Sequence, residues 1–224
     1  MGNARVGSYP AAWRDRLVLR FLGYQRDDQP DPRTAARLAA LRETAGPLIQ
    51  GRAAWLTFTR EELPEDIPLS PRTERVSLAL CTVGEGGAEA STRARARGEA
   101  LDGVILDAIG SAAVEAVADA VEQVIRRVAG DAGYLPGRRV SPGYGKWPVA
   151  GQRDMFSLLP AAEAGIELLP SLMMKPQKSI SFLVAWRRDP GQEEVAHGCR
   201  ACSQSHCRSR EEPSRDENAR EEKP

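Results

Sequence analysis

From Leu101 to Val128 the apolar residues fall at helical spacing. Ile105, Ile109, Ala112, Ala113, Ala116, Val117, Ala120, Val121, Val124 and Ile125 recur three or four positions apart, which gathers them on one broad face. A helix of this length and apolarity predicts the spine of a domain. Beside that face runs a second stripe: Asp107, Ser111, Glu115, Asp119, Glu122 and Arg126, again three or four residues apart. On spacing alone the stripe is a solvated face, with Glu122 and Arg126 an ordinary i,i+4 pair.

The remaining segments arrange themselves around this helix. Residues 1–13 read as a loose, flexible leader. Arg14 to Tyr24 predicts a short helix stopped at Gly23, because glycine readily takes the left-handed conformation that ends helices. Asp31-Pro32 looks like an N-cap followed by proline at the first helical position, opening a helix over Arg33 to Thr44. Ala53 to Thr59 and Val76 to Val83 predict strands. In the second, Val76, Leu78 and Leu80 alternate with Ser77, Ala79 and Cys81. Gly84 to Gly87 reads as a break, and Glu89 to Arg97 as a polar helix. Gly130 to Lys146, rich in Gly, Pro and Arg, predicts a loop that nothing local holds still. Asp154 to Leu159 predicts a short helix. Ile166 to Leu169 and Ser179 to Trp186 predict strands joined through a Met-Met-Lys-Pro turn. Helices and strands mix without a βαβ rhythm. The predicted fold class is therefore α+β: one domain over residues 14–190, with a twisted, mainly antiparallel β-sheet flanked by helices. Residues 191–224 are charged, contain cysteines, and predict a largely disordered tail.

Composition narrows the function. Of 224 residues, 31 are Lys or Arg and 31 are Asp or Glu, so no basic excess points to nucleic acid. No run approaches the ~18 apolar residues of a membrane span. The first sixteen residues lack the apolar core of a secretory signal. The expected setting is cytoplasmic, with neither nucleic acid nor membrane as partner.

The most specific stretch is Arg139-Val-Ser-Pro-Gly-Tyr144. It places a guanidinium four residues before a Gly-Tyr step, with Ser141 between them. Arginine suits bidentate grip of a carboxylate, Gly143 lets a ligand approach the backbone, and Tyr144 offers a ring face or a hydroxyl. Such a loop fits a small ligand carrying an amino-acid carboxylate and a flat base. By itself, a Pro-Gly turn near an arginine is also a common surface loop. Its neighbours extend the pattern. Leu101 to Glu115 precedes it, and Met155 to Leu159, Gly165 to Leu169, Ser171 to Met174 and Pro176 to Ser181 follow. In that order these segments resemble the S-adenosylmethionine-binding activation domain of cobalamin-dependent methionine synthase in a free-standing form. The resemblance covers roughly Leu101 to Trp186, and it is loose over residues 14–83.

That resemblance implies the function. A chain of this family binds S-adenosylmethionine and supports reductive remethylation of cob(II)alamin. The corrinoid would sit on a separate cobalamin-binding methyltransferase subunit, because the Asp-x-His-x-x-Gly signature of cobalamin domains is missing here. The electron would come from a flavodoxin or ferredoxin-type donor. Arg139 would hold the methionine carboxylate, Gly143 and Tyr144 would contact the nucleoside, and Ser141 would be a further residue of the binding site. Glu115, the counterpart of an acidic contact on the preceding helix, would accept from the ammonium or the ribose. The chain departs from the family after Tyr144, where Gly-Lys-Trp-Pro replaces Pro-x-Cys-Pro-x-His. No catalytic acid or base is implied, and the chain would be a component of the methyl-transferring system. The rival classes are a non-catalytic interaction module and a redox activator of a corrinoid protein.

Three cysteines, Cys199, Cys202 and Cys207, stand close to His197 and His206 at metal-ligand spacing. Three thiolates and one histidine would complete a zinc site. With a fourth ligand they could hold an iron–sulfur cluster, and the bland alternative is an unliganded tail. Cys81, alone in a strand, reads as a buried residue. Met173-Met174 reads as packing. Gly84-Glu-Gly-Gly87 lacks the Lys-Ser/Thr of a phosphate loop.

Overall fold

The computed structural model describes residues 4–25, 27–145 and 147–189. Its strands are β1 (Arg5–Ser8), β2 (Arg52–Thr59), β3 (Arg75–Thr82), β4 (Leu135–Val140), β5 (Glu167–Leu168), β6 (Met174–Lys175) and β7 (Ser179–Arg187). Its α-helices are α1 (Asp15–Phe21), α2 (Pro32–Ala45), α3 (Gly86–Ala96), α4 (Ala100–Asp131) and α5 (Gln152–Leu158). Five strands form one sheet in the order β1-β2-β3-β7-β4, and every neighbouring pair is antiparallel. β5 and β6 make a separate small hairpin. The α+β expectation, an antiparallel sheet flanked by helices, holds.

β3 is buried from Val76 to Thr82, on both faces. Its alternation therefore separates two apolar layers rather than core from solvent. Ala79 and Cys81 face α4, together with Trp55, Phe182, Val184 and Trp186. Val76, Leu78 and Leu80 face the opposite layer, where Trp147, Met155, Leu159 and Ile166 pack. Ser77, fully buried on the face of Ala79 and Cys81, is satisfied across the strand pair by Thr57, hydroxyl to hydroxyl at 2.7 Å.

The 32-residue α4 serves two cores in succession. Its first half, through Ile105, Ile109 and Ala112, is covered by Val18 and Leu19 of α1, Leu38 and Leu41 of α2, and Ala94 of α3. Its second half, through Val117, Val121, Ile125 and Ala129, lies on the sheet. Val114 and Ala118 are buried with them, while Ala116 and Ala120 are only partly covered. The buried face thus winds further round the helix than one stripe would. The predicted start of α2 is as read: the Asp31 carboxylate accepts from the backbone amides of Arg33 and Thr34 at 3.0 Å each, and Pro32 follows it.

Two expectations are corrected. The stretch read as part of a loose leader contains β1, which pairs with β2 with Val6 opposite Ala54. The Tyr9 hydroxyl then accepts from Trp55 Nε1 at 2.8 Å. A four-residue strand with one branched apolar residue carries no periodic signal; the unpaired edge of β2 supplies the order. The loop expected from Gly130 to Lys146 likewise contains β4, an edge strand on β7. Pro136 and Gly137 hide it, because both disfavour a strand in isolation. A smaller difference is that α3 begins at Gly86, inside the expected break. A Cβ there would lie 2.7 Å from the Leu48 carbonyl, so the glycine permits a close approach of two backbones.

Candidate functional site

The irregularity in β4 determines which arginine faces α4. Pro136 lies opposite Trp186 and Arg139 opposite Val184, so three steps on β4 match two on β7. That extra residue is a β-bulge. In a regular ladder Arg138 would stand opposite Val184 and Arg139 opposite Leu183, reversing their faces. With the bulge, Arg139 shares the face of Val184 and reaches the polar stripe of α4.

Arg126 holds the bulge in place. Its Nη2 donates to the Gly137 carbonyl at 2.8 Å and its Nη1 to the Pro136 carbonyl at 3.4 Å. Glu122 bridges the two arginines, 2.9 Å from Arg126 and 3.5 Å from Nε of Arg139. Nη2 of Arg139 lies 3.1 Å from Glu115 Oε2 and 3.2 Å from Asp119 Oδ1. The guanidinium stands over the Phe182 ring, 5.4 Å from its centroid. Nη1 of Arg139 is buried and has no hydrogen-bond partner among the described residues.

The structure therefore brings Glu115 and Arg139 together, and with them Asp119, Glu122 and Arg126, which spacing alone had left on a solvated face. Three carboxylates converge on one guanidinium. Burial pushes the Glu115 carboxyl above the usual glutamate range; Arg139 pulls it down and Asp119 adds to the rise. Cys81, fully buried in the core beneath α4, has its thiol pushed up by burial, away from reactivity.

The rest of the motif lies beyond the end of β4. The Tyr144 amide donates to the Ser141 carbonyl at 3.2 Å, and the Gly143 amide to the Trp147 carbonyl at 2.8 Å. Gly143 has φ +93°, and a side chain there would meet nothing nearer than Val149 at 4.0 Å, so the backbone lies open to a ligand. Tyr144 is 65% exposed. The loop is anchored by Trp147, 2% exposed and packed in the second core.

One more ionic station occupies α4. Lys178 Nζ lies 3.0 Å from Asp107 and 2.9 Å from Ser111. Its stem crosses α4 at Gly110, where a Cβ would lie 3.2 Å from Lys178 Cγ. Gly110, a glycine inside a long helix, was the available sign of this crossing. A groove of about 470 Å³ runs elsewhere, between α3 and the β5–β6 hairpin, lined by Glu85, Ala88, Glu89, Met173, Met174 and Lys175. Its charges form surface pairs, Lys175 with Glu85 and Arg93 with Glu89; the converging, partly buried polar groups are at Arg139. No cluster of metal-ligating residues occurs among the described residues. Cys199, Cys202, Cys207, His197 and His206 lie outside them, as does Lys146. No described helix is long and apolar enough to cross a membrane.

Neither the protein-family models nor the curated proteins contain a match to this sequence. Among solved structures, the fold matches the crystal structure of the MetH reactivation domain bound to AdoHcy. The TM-score is 0.65 over 88% of this chain and 81% of that one, at 13% sequence identity. The chain has the methionine synthase reactivation-domain fold, as the Arg139–Tyr144 motif and its neighbours led us to expect.

Proposed function

We propose that this chain binds S-adenosylmethionine beside α4 and supports reductive remethylation of cob(II)alamin on a separate cobalamin-dependent methionine synthase or related corrinoid methyltransferase. The observation that carries the reading is the buried, unpartnered Nη1 of Arg139 at the head of an Arg-x-x-x-Gly-Tyr loop. The neighbouring fold was crystallised with AdoHcy, the demethylated form of the same ligand. S-adenosylmethionine supplies the methyl group. The chain's own residues bind and orient it, a proximity effect rather than acid–base work. Arg139 takes the carboxylate as a fork. Glu115 accepts from the ammonium or a ribose hydroxyl. The open backbone at Gly143, the turn at Ser141 and the exposed ring of Tyr144 receive the nucleoside.

The corrinoid arrives on a partner, and a flavodoxin or ferredoxin-type protein supplies the electron, both in the cytoplasm. Cys199, Cys202 and Cys207 would bind zinc or an iron–sulfur cluster; metal analysis of protein purified without oxygen distinguishes the two. A second reading, an interaction module that has kept the fold without the ligand, draws on the three carboxylates that already pair with Arg139.

Calorimetry with S-adenosylmethionine separates these readings. Losing a charge-assisted fork costs about 1.5–3 kcal/mol, so Arg139→Ala should weaken binding roughly ten- to over a hundredfold. Arg139→Lys keeps the charge but loses the fork, and should also bind weakly. No saturable binding by the folded parent would leave the interaction module as the better account, and equal binding by all three proteins would show that Arg139 does not hold the ligand.

A further inference from the structure

The three carboxylates on Arg139 are not equivalent. Glu122 is 17% exposed and also pairs with Arg126, so it belongs to the bracing of the bulge. Glu115 is 35% exposed and hydrogen-bonded to Nη2. Asp119 is 59% exposed and lies at the same Nη2. Glu115 is hydrogen-bonded to Nη2 at 3.1 Å, whereas Asp119 is held there by charge alone at 3.2 Å. A ligand carboxylate seated across the Nη1–Nη2 edge needs one N–H from each nitrogen. Nη1 is without a partner, but Nη2 already faces two carboxylates, and the repulsion of a third favours release of one of them. Glu115 is the costly one to release, because it is half-buried and would give up a charge-assisted hydrogen bond. Asp119 is the cheap one, since water can solvate it at once.

We propose that Asp119 is a resident carboxylate that occupies the ligand edge of Arg139 in the free protein and is exchanged for the carboxylate of the incoming amino-acid moiety. Asp119 thereby sets the affinity of the site. This rests on the S-adenosylmethionine reading above and names a residue which that reading does not use.

The test compares parent, Asp119→Asn, Glu122→Gln and Arg139→Ala by calorimetry. The ligands are S-adenosylmethionine and 5′-methylthioadenosine, which keeps the nucleoside but has no carboxylate. Asp119→Asn should bind S-adenosylmethionine roughly two- to fivefold more tightly, the scale of one exposed ion pair. It should bind 5′-methylthioadenosine as the parent does. Glu122→Gln should weaken S-adenosylmethionine binding, because it loosens the brace instead of freeing the edge. Unchanged or weaker binding by Asp119→Asn, alongside a parent that depends on Arg139, overturns the exchange and leaves the binding reading standing. A gain shared by 5′-methylthioadenosine also overturns it. If Arg139→Ala binds like the parent, the binding reading itself fails and the exchange falls with it.

Discussion

Gly151→Ala places a single methyl group against the indole that anchors the motif loop. A Cβ at Gly151 would lie 2.1 Å from Nε1 of Trp147 and 2.9 Å from both Cδ1 and Cε2. Ordinary van der Waals contact begins near 3.4 Å, so the ring must retreat by more than an ångström. It has little room to do so, being 2% exposed and packed with Met155, Leu159, Ile166 and the inner face of β3. Overpacking of this kind costs about 1–3 kcal/mol. With a urea slope on the order of 2 kcal/mol/M, the unfolding midpoint should fall by about 0.5–1.5 M. The same shift pulls on the Trp147 carbonyl, which receives the Gly143 amide, so under the function proposed above S-adenosylmethionine should bind less tightly although no ligand contact is removed. Adding Trp147→Phe, whose smaller ring vacates the contested space, should cost less in the Gly151→Ala background than in the parent, a favourable coupling in a double-mutant cycle. A midpoint equal to the parent's, or strict additivity of the two changes, would refute the packing argument.

Other consequences can be checked more briefly. The raised Glu115 carboxyl keeps its proton in the folded state at pH values where the unfolded chain has released it. Its stabilising share is complete below the ordinary glutamate range and is lost as pH rises through the raised value. Glu115→Gln should flatten that segment of the stability–pH curve in urea titrations; an unaltered slope would show that burial does not govern this group. Deleting residues 1–9 removes β1 and the hydroxyl that receives Trp55 Nε1. The shortened chain should unfold at lower urea with altered tryptophan fluorescence, whereas a loose leader would leave both unchanged.

What could be read in advance was whatever carried its own local signal. α2 announced itself through Asp31-Pro32, α4 through a long helical period, and β3 and β7 through runs of branched and aromatic residues. β1 and β4 had no such signal, because each is ordered by the neighbouring strand rather than by its own composition. The loss of β4 explains what was missed at the site. Without a strand opposite α4, Asp119, Glu122 and Arg126 looked like a solvated row, although Glu122 is 17% exposed and bridges two arginines. That Arg139 and Glu115 belong to one neighbourhood was legible through the motif and the register of the helix before it, and the two side chains do meet. The bulge that aims Arg139 was not, since Gly137-Arg138 reads equally well as a turn.

The strand order also governs when the site can exist during synthesis. β4 is hydrogen-bonded to β7, and β7 is also the partner of β3. While the ribosome is still translating the segment after Val140, Arg139 has no ladder to hold it and the bulge has no partner from which to be displaced. α4 can meanwhile settle against α1, α2 and α3, whose contacts are all earlier in the chain. At a few to twenty residues per second, several seconds separate the emergence of Arg139 from that of Val184. A nascent chain stalled just before β7 should therefore be helical yet lack the cluster around Arg139, which a single late strand would assemble.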